Sequence, residues 1–102
     1  MKALSGRPKK SQKLRDSARG QDCAMQVAEV CNGNPETVVL AHVNVDGGKM
    51  GGKSEDVSAC FACAACHEWL DQHRGSVEDE LFYTRRAMVR TWIVWISSGI
   101  LK

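Results

Sequence analysis

The 102-residue sequence contains no long apolar run. Its one strongly apolar stretch, Trp92 to Ile96, falls far short of the ~20 residues a helix needs to span a bilayer, so no membrane role is expected. Residues 1–13 lack the apolar core of a secretory leader. Cysteines number five, an odd count that internal disulfides cannot exhaust. Together these absences predict a reducing, cytoplasmic setting in which the cysteines are thiols or metal ligands. Nor does a βαβ pattern surround the Cys-x2-Cys steps, which disfavours thioredoxin-like thiol chemistry.

Acid is almost missing from the first twenty residues. Lys2, Arg7, Lys9, Lys10, Lys13, Arg15 and Arg19 face Asp16 alone, a net charge of +6; the whole chain carries +2, so the remainder stands at −4. A basic arm on a mildly acidic body suits sequence-independent phosphate binding, because each cation set near a phosphate releases a condensed counterion. The plainer alternative is a solvated tail. We expect residues 1–13 to be a disordered basic arm and residues 14–102 to form one small domain whose modest core gains from a metal staple. DNA is the expected partner, met by Arg7, Lys9, Lys10, Lys13, Arg15, Arg19 and, further on, Lys53.

The densest chemistry lies in the run Cys63-Ala-Ala-Cys66-His67-Glu-Trp-Leu-Asp71. Two cysteines three apart wrap naturally onto one tetrahedral zinc, and Cys23 and Cys31 supply a second half-site for a four-thiolate centre. Cys60 and Cys63 have the same spacing, so the register of the pair is open on spacing alone. His67 and Asp71, four residues apart, share one face of a helix and can hold a different ion. His67 can instead replace a cysteine in a purely structural site.

Around this run the pattern is α+β. Lys13 to Gly20 reads as a short helix stopped by glycine. Asn32-Gly33-Asn34-Pro35 is a dense turn signal at Cys31. The β-branched run Thr37 to Val45, with His42 near its end, reads as a strand. A glycine-rich loop carrying Lys49 and Lys53 follows, and then Asp56 to Phe61 as a return strand. The next helix begins at Cys63 with an inward stripe of Cys66, Trp69, Leu70 and His73. Val77 to Ser97 is a longer amphipathic helix with Glu78, Asp79 and Glu80 in its first turn and Gly99 beyond its end. Leu81, Met88, Trp92, Trp95 and Ile96 form its expected core side, with Arg86 and Arg90 pointing away as a solvated face or a phosphate contact.

The order strand, loop, strand, helix, with a histidine on the first strand and ligands on the helix, resembles the ββα-metal, or HNH, nuclease motif. The strings Ala18-Arg19-Gly20, Cys23, Val30-Cys31-Asn32-Gly33-Asn34-Pro35-Glu36-Thr37, Leu40-Ala41-His42 and Cys63-x2-Cys66-His67 resemble the small phage and prophage proteins of the YbcO type, regarded as HNH-like relatives of the phage recombination nuclease Ref. The resemblance runs from about Lys13 to Leu101. It implies a zinc-stabilised, HNH or treble-clef-like domain and a metal-dependent DNA endonuclease in phage DNA processing or recombination, with a host recombinase as a further partner. It also implies Cys63 with Cys66 as the helix-side zinc pair, leaving Cys60 as a small buried hydrophobe. By the same resemblance His42 is the general base, while His67 and Asp71 hold a catalytic Mg²⁺ or Mn²⁺, the carboxylate favouring a hard ion. Asp71 stands where many HNH helices carry a second histidine. The middle asparagine of the motif has no obvious counterpart, Asp56, Ser58 and Asn44 being the nearest residues, and Ala41 stands where a further ligand is often found. The alternative function is a non-catalytic treble-clef zinc module that binds nucleic acid or a partner protein.

Overall fold

The computed structural model describes residues 12–43 and 58–100. The chain is α+β: α1 (Gln12–Asp16), a 3-10 turn (Pro35–Thr37), β1 (Val39–His42), β2 (Ala59–Ala62), α2 (Ala64–Asp71) and α3 (Val77–Ser97). The expected hairpin forms with shorter strands, pairing Val39 with Ala62, Leu40 with Phe61, Ala41 with Cys60 and His42 with Ala59 in antiparallel register. Beyond it, Val43 donates its N–H to the Ser58 carbonyl at 2.7 Å, and the Ser58 hydroxyl donates to the Val43 carbonyl at 2.9 Å.

All four β2 residues are buried, so the strand shows no alternation of apolar and polar side chains. The cause is a closed edge. The Phe61 carbonyl accepts from Ala24 N–H at 2.9 Å, and Phe61 N–H donates to the Thr91 hydroxyl at 3.0 Å, so α3 and the residue 24 segment satisfy the groups an edge strand would leave bare. Trp95 meets Phe61 edge-on, with centroids 6.0 Å apart, and its indole N–H donates to the Ser17 hydroxyl at 2.7 Å. One buried tryptophan thus joins α3, the sheet and the turn after α1.

The helix ends follow from local sequence. Ser76 caps α3 by accepting from Asp79 N–H, with Glu78, Asp79 and Glu80 in the first turn. At the other end Gly99 sits at φ +84°, and the bonds from Gly99 N–H to Ile96 and from Ile100 N–H to Trp95 make a Schellman motif. The same motif ends α2. His73 N–H bonds to Leu70 and Arg74 N–H to Trp69, with His73 at φ +51°.

That second motif corrects the expected stripe of α2. Cys66, Trp69 and Leu70 are buried, but the helix ends at Asp71 and the chain reverses at His73, which is exposed and pairs with Glu80 at 2.9 Å. A larger correction concerns α3. Its buried residues are Thr84, Ala87, Met88, Thr91 and Trp95, whereas Leu81, Trp92 and Ile96, expected inside, remain 38–62 % exposed. The core face must bring a hydroxyl within hydrogen-bonding reach of the β2 backbone, and small side chains permit that approach where a row of large ones would hold the helix off.

Gly75 makes the α2–α3 corner possible. A Cβ there would run into the Trp69 ring, which packs edge-on against Tyr83 at 5.8 Å. Gly75→Ala is therefore expected to displace Trp69 and cost about 1–3 kcal/mol, the usual range for overpacking. Urea unfolding of the two proteins checks this.

Candidate metal centre

Three segments converge on one cluster of sulfurs. Cys23 and Cys31 come from the loop between α1 and the 3-10 turn; Cys63 is the N-cap of α2, and Cys66 lies in its first turn. The four Sγ atoms all lie within 4.8 Å of one another. Cys31 and Cys63 are 3.8 Å apart, and none of the cysteines is in a disulfide. At a Zn–S distance of ~2.3 Å, sulfurs at the corners of a tetrahedron are about 3.8 Å apart. The donor set and its spacing fit a four-thiolate structural metal site.

The backbone is turned to receive thiolates. Gln26 N–H donates to Cys23 Sγ at 3.4 Å, Asn32 N–H to Cys63 at 3.5 Å, and Cys66 N–H to Cys63 at 3.4 Å. Backbone hydrogen bonds from Gly33 and Val27 favour the ionised forms of Cys31 and Cys66. Such amides stabilise negative sulfur and orient it, the role outer-shell groups play around metal centres. Positive φ at Gln26 and Gly33, +49° and +67°, aims these loops. Asn32 and Asn34 fix the second loop: Asn34 N–H donates to the Asn32 side chain at 2.8 Å, and Glu36 N–H to the Asn34 side chain at 3.0 Å. Thr37 then ties this turn to α2 by accepting from Ala64 N–H at 3.2 Å.

The thiols interact strongly. A hydrogen bond from Cys66 holds the Cys23 thiol well below the ordinary thiol range, with backbone bonds assisting and burial opposing. The same bond, followed by burial, pushes Cys66 up. Burial raises Cys31 as well. One shared negative charge suits a protonated cluster, and a divalent cation at the centre would favour ionisation of all four. Cys60 stands apart on β2, fully buried and pushed up to about 12 by desolvation. Geometry therefore brings Cys63 and Cys66, rather than Cys60 and Cys63, to Cys23 and Cys31.

Two residues of the site framework are absent from the expected set. Arg86 donates from Nη2 to the Met25 carbonyl at 2.9 Å, and Arg90 from Nη1 to the Ala24 carbonyl at 3.2 Å. These arginines brace the Cys23 loop from α3 rather than forming a solvated face. Arg86 also stacks over Phe82 and Tyr83, 5.1 and 5.4 Å from the centroids. Their spacing along α3 signals only a shared face; the carbonyls they reach lie more than sixty residues away in the chain.

The second expected pair lies on α2, directly after Cys66. His67 Nε2 is 3.4 Å from Asp71 Oδ2, and the two side chains are 37 % and 65 % exposed. Adjacent ligand atoms on an octahedral ion at ~2.1 Å are about 3 Å apart, so a small rotamer adjustment admits a hard divalent cation between them. His42 is exposed at the end of β1, the strand that pairs with the one leading into α2. Lys13, Arg15 and Arg19 are exposed on α1 and the turn that follows it. Arg7, Lys9, Lys10 and Lys53, together with Asn44, Asp56 and the glycine-rich loop, lie outside the described residues. Among the described residues no helix is long and apolar enough to cross a membrane.

A family model described as "Putative nuclease YbcO" matches residues 12–100. The sequence is 39 % identical over 94 residues to "Putative nuclease YbcO" of Escherichia coli (strain K12), covering 87 % of this chain and 96 % of the relative. The same identity and coverage hold for "Putative nuclease ybcO" of Enterobacteria phage 82. Among solved structures, one described as "Structure of a putative bacteriophage protein from Escherichia coli str. K-12 substr. MG1655" superposes with a TM-score of 0.72 at 36 % identity, covering 85 % of this chain and all of that one.

Proposed function

The chain belongs to the YbcO family of nucleases so described, and on that premise we propose that it is a metal-dependent DNA endonuclease of the HNH type, acting in phage DNA processing or recombination. One observation carries the reading: His42 ends the first strand of an antiparallel hairpin whose second strand runs directly into a helix bearing the close, exposed pair His67 and Asp71. That is the ββα order in which a strand histidine and a helical ligand pair serve one phosphodiester.

Each residue has a distinct task. Cys23, Cys31, Cys63 and Cys66 hold a structural zinc that fixes the first turn of α2 against the two loops. His67 follows Cys66 directly and Asp71, one turn on, is the last residue of α2, so the same staple sets the helix that carries both. They would hold a Mg²⁺ or Mn²⁺ ion, whose chemistry there would be neutralisation of charge on the scissile phosphate and on the leaving oxygen. His42 accepts a proton from the attacking water, and its exposure leaves room for the substrate. Ser58, through its bond to the Val43 carbonyl, braces the backbone beside His42, a positioning task the motif otherwise gives to asparagine. Lys13, Arg15 and Arg19, with Arg7, Lys9, Lys10 and Lys53, supply phosphate contacts that hold DNA irrespective of sequence. A recombinase filament is the proposed host context.

Plasmid nicking as a function of Mn²⁺ concentration tests the ligand pair. Asp71→Ala is expected to raise the half-activating metal concentration by about 10–100-fold or more, since it removes a hard ligand without touching the thiolates. Zinc content and the thermal transition should stay as in the wild type. An unchanged metal dependence would place the working ion elsewhere.

A further inference from the structure

α3 carries a second apolar face that the core does not use. Leu81, Phe82, Val89, Ile93 and Ile96 are 46–62 % exposed, and Trp92 is 38 % exposed. Phe82, Arg85, Val89, Trp92 and Ile96 follow the alternating three- and four-residue steps of a coiled-coil seam, with Leu81 and Ile93 flanking it. The N-terminal half of this face is a groove of about 760 Å³ lined by Glu78, Leu81, Phe82, Arg85, Val89 and Arg90, among others. The C-terminal half carries the bulky Trp92, Ile93 and Ile96.

We propose that a second copy of this chain docks here, its α3 antiparallel to the first about a two-fold axis at Val89. Groove and bulk lie on one face on either side of Val89, so a two-fold places the bulk of each copy in the groove of the other, as an isologous interface requires. The axis sets Phe82 against Ile96 of the second copy. Arg85 meets Trp92 and Ile93 of the second copy, where a guanidinium can lie on the indole face. A parallel pairing would instead stack Arg85 on Arg85 and align the helix dipoles. The stripe exposes on the order of 500 Å² per chain, the upper range for a monomer. Two stripes together remove about 1,000 Å² from water, the threshold for a specific, modest-affinity contact. The two-fold would give one assembly two copies of the metal centre, although the inference rests on α3 alone and not on the nuclease reading.

Sedimentation equilibrium of the full chain, at concentrations up to about 100 µM, reads the assembly directly. The expected result is a reversible transition to twice the chain mass. Val89→Glu places two carboxylates on the axis and should restore the single-chain mass, with circular dichroism unchanged because Val89 lies outside the core; Ile93→Lys is the second variant, should the first lose its fold. A wild type of single-chain mass throughout, dimers that persist in both folded variants, or open-ended association would each overturn the proposal. So would a monomer whose binding to a single-stranded oligonucleotide is lost in Val89→Glu, which would make the stripe a base-stacking platform.

Discussion

Removing the metal from the four-cysteine cluster is expected to unfold the chain. The described core is small, and its largest fully buried side chains are Trp95, Phe61 and Met25. Residues 21–34 reach the core through Ala24, Met25 and Val27 and α3 through Arg86 and Arg90, but the turn at Cys31 and the first turn of α2 meet at the sulfurs. Domains of this size are stable by ~5–15 kcal/mol, and structural zinc in small folds contributes ~10–16 kcal/mol of apparent binding energy. Losing the ion therefore removes as much as the whole margin. Cys66→Ser should act almost as strongly as chelation, because Cys66 is fully buried and its hydroxyl replacement is a poor zinc ligand. Metal analysis should find about one zinc per chain. Circular dichroism before and after a strong chelator should show loss of helix, reversed by adding zinc. A metal-free chain that keeps its helices with all thiols free, or one held by disulfides among these four cysteines, would remove the staple from the account.

His42→Ala is expected to lower the cleavage rate by about 10²–10⁴-fold, the usual contribution of a positioned general base. The side chain is exposed at the end of β1, so its removal leaves no cavity, and the neighbouring Ala41 and Val43 continue to fill the core. Zinc content, thermal transition and DNA affinity should match the wild type, which separates a lost proton acceptor from a lost fold. Single-turnover cleavage against a mock purification checks the figure, because traces of host nuclease mimic a weak enzyme. Equal rates for the two proteins would leave His42 as a surface residue and favour a module that binds DNA without cutting it.

Much of this arrangement is legible in the sequence because it is local. The three acids and the caps at the ends of α3, Gly99 beyond it, the turn Asn32 to Pro35 and the hairpin strands all act within a few residues of themselves. The cysteine pairs are legible as a pattern, but not the choice between Cys60 and Cys63 as first partner of the helix pair. That choice depends on which face of β2 meets α3, and β2 is buried throughout. α3 is the clearest case of what a wheel cannot tell. It has two apolar faces, and the one with Thr84, Ala87 and Thr91 became the core because a strand edge needs a hydroxyl and close approach, with Met88 and Trp95 on the same face, whereas Leu81, Trp92 and Ile96 lie outside. His73 continues the helical spacing on paper, yet it is the left-handed residue at which the chain leaves the helix. Arg86 and Arg90 find backbone carbonyls at the far end of the sequence, a relation only the folded chain creates.

The most direct test of the nuclease reading is nicking of supercoiled, single-stranded and branched DNA by the zinc-loaded wild type, with Mg²⁺, with Mn²⁺ and with enough EDTA to bind the added ion. The account predicts cleavage that rises and saturates with the divalent ion and stops in EDTA while the thiolate-bound zinc stays in place. No cleavage of any DNA form above the mock purification, even with a recombinase filament present, or cleavage that continues undiminished without the ion, would contradict it.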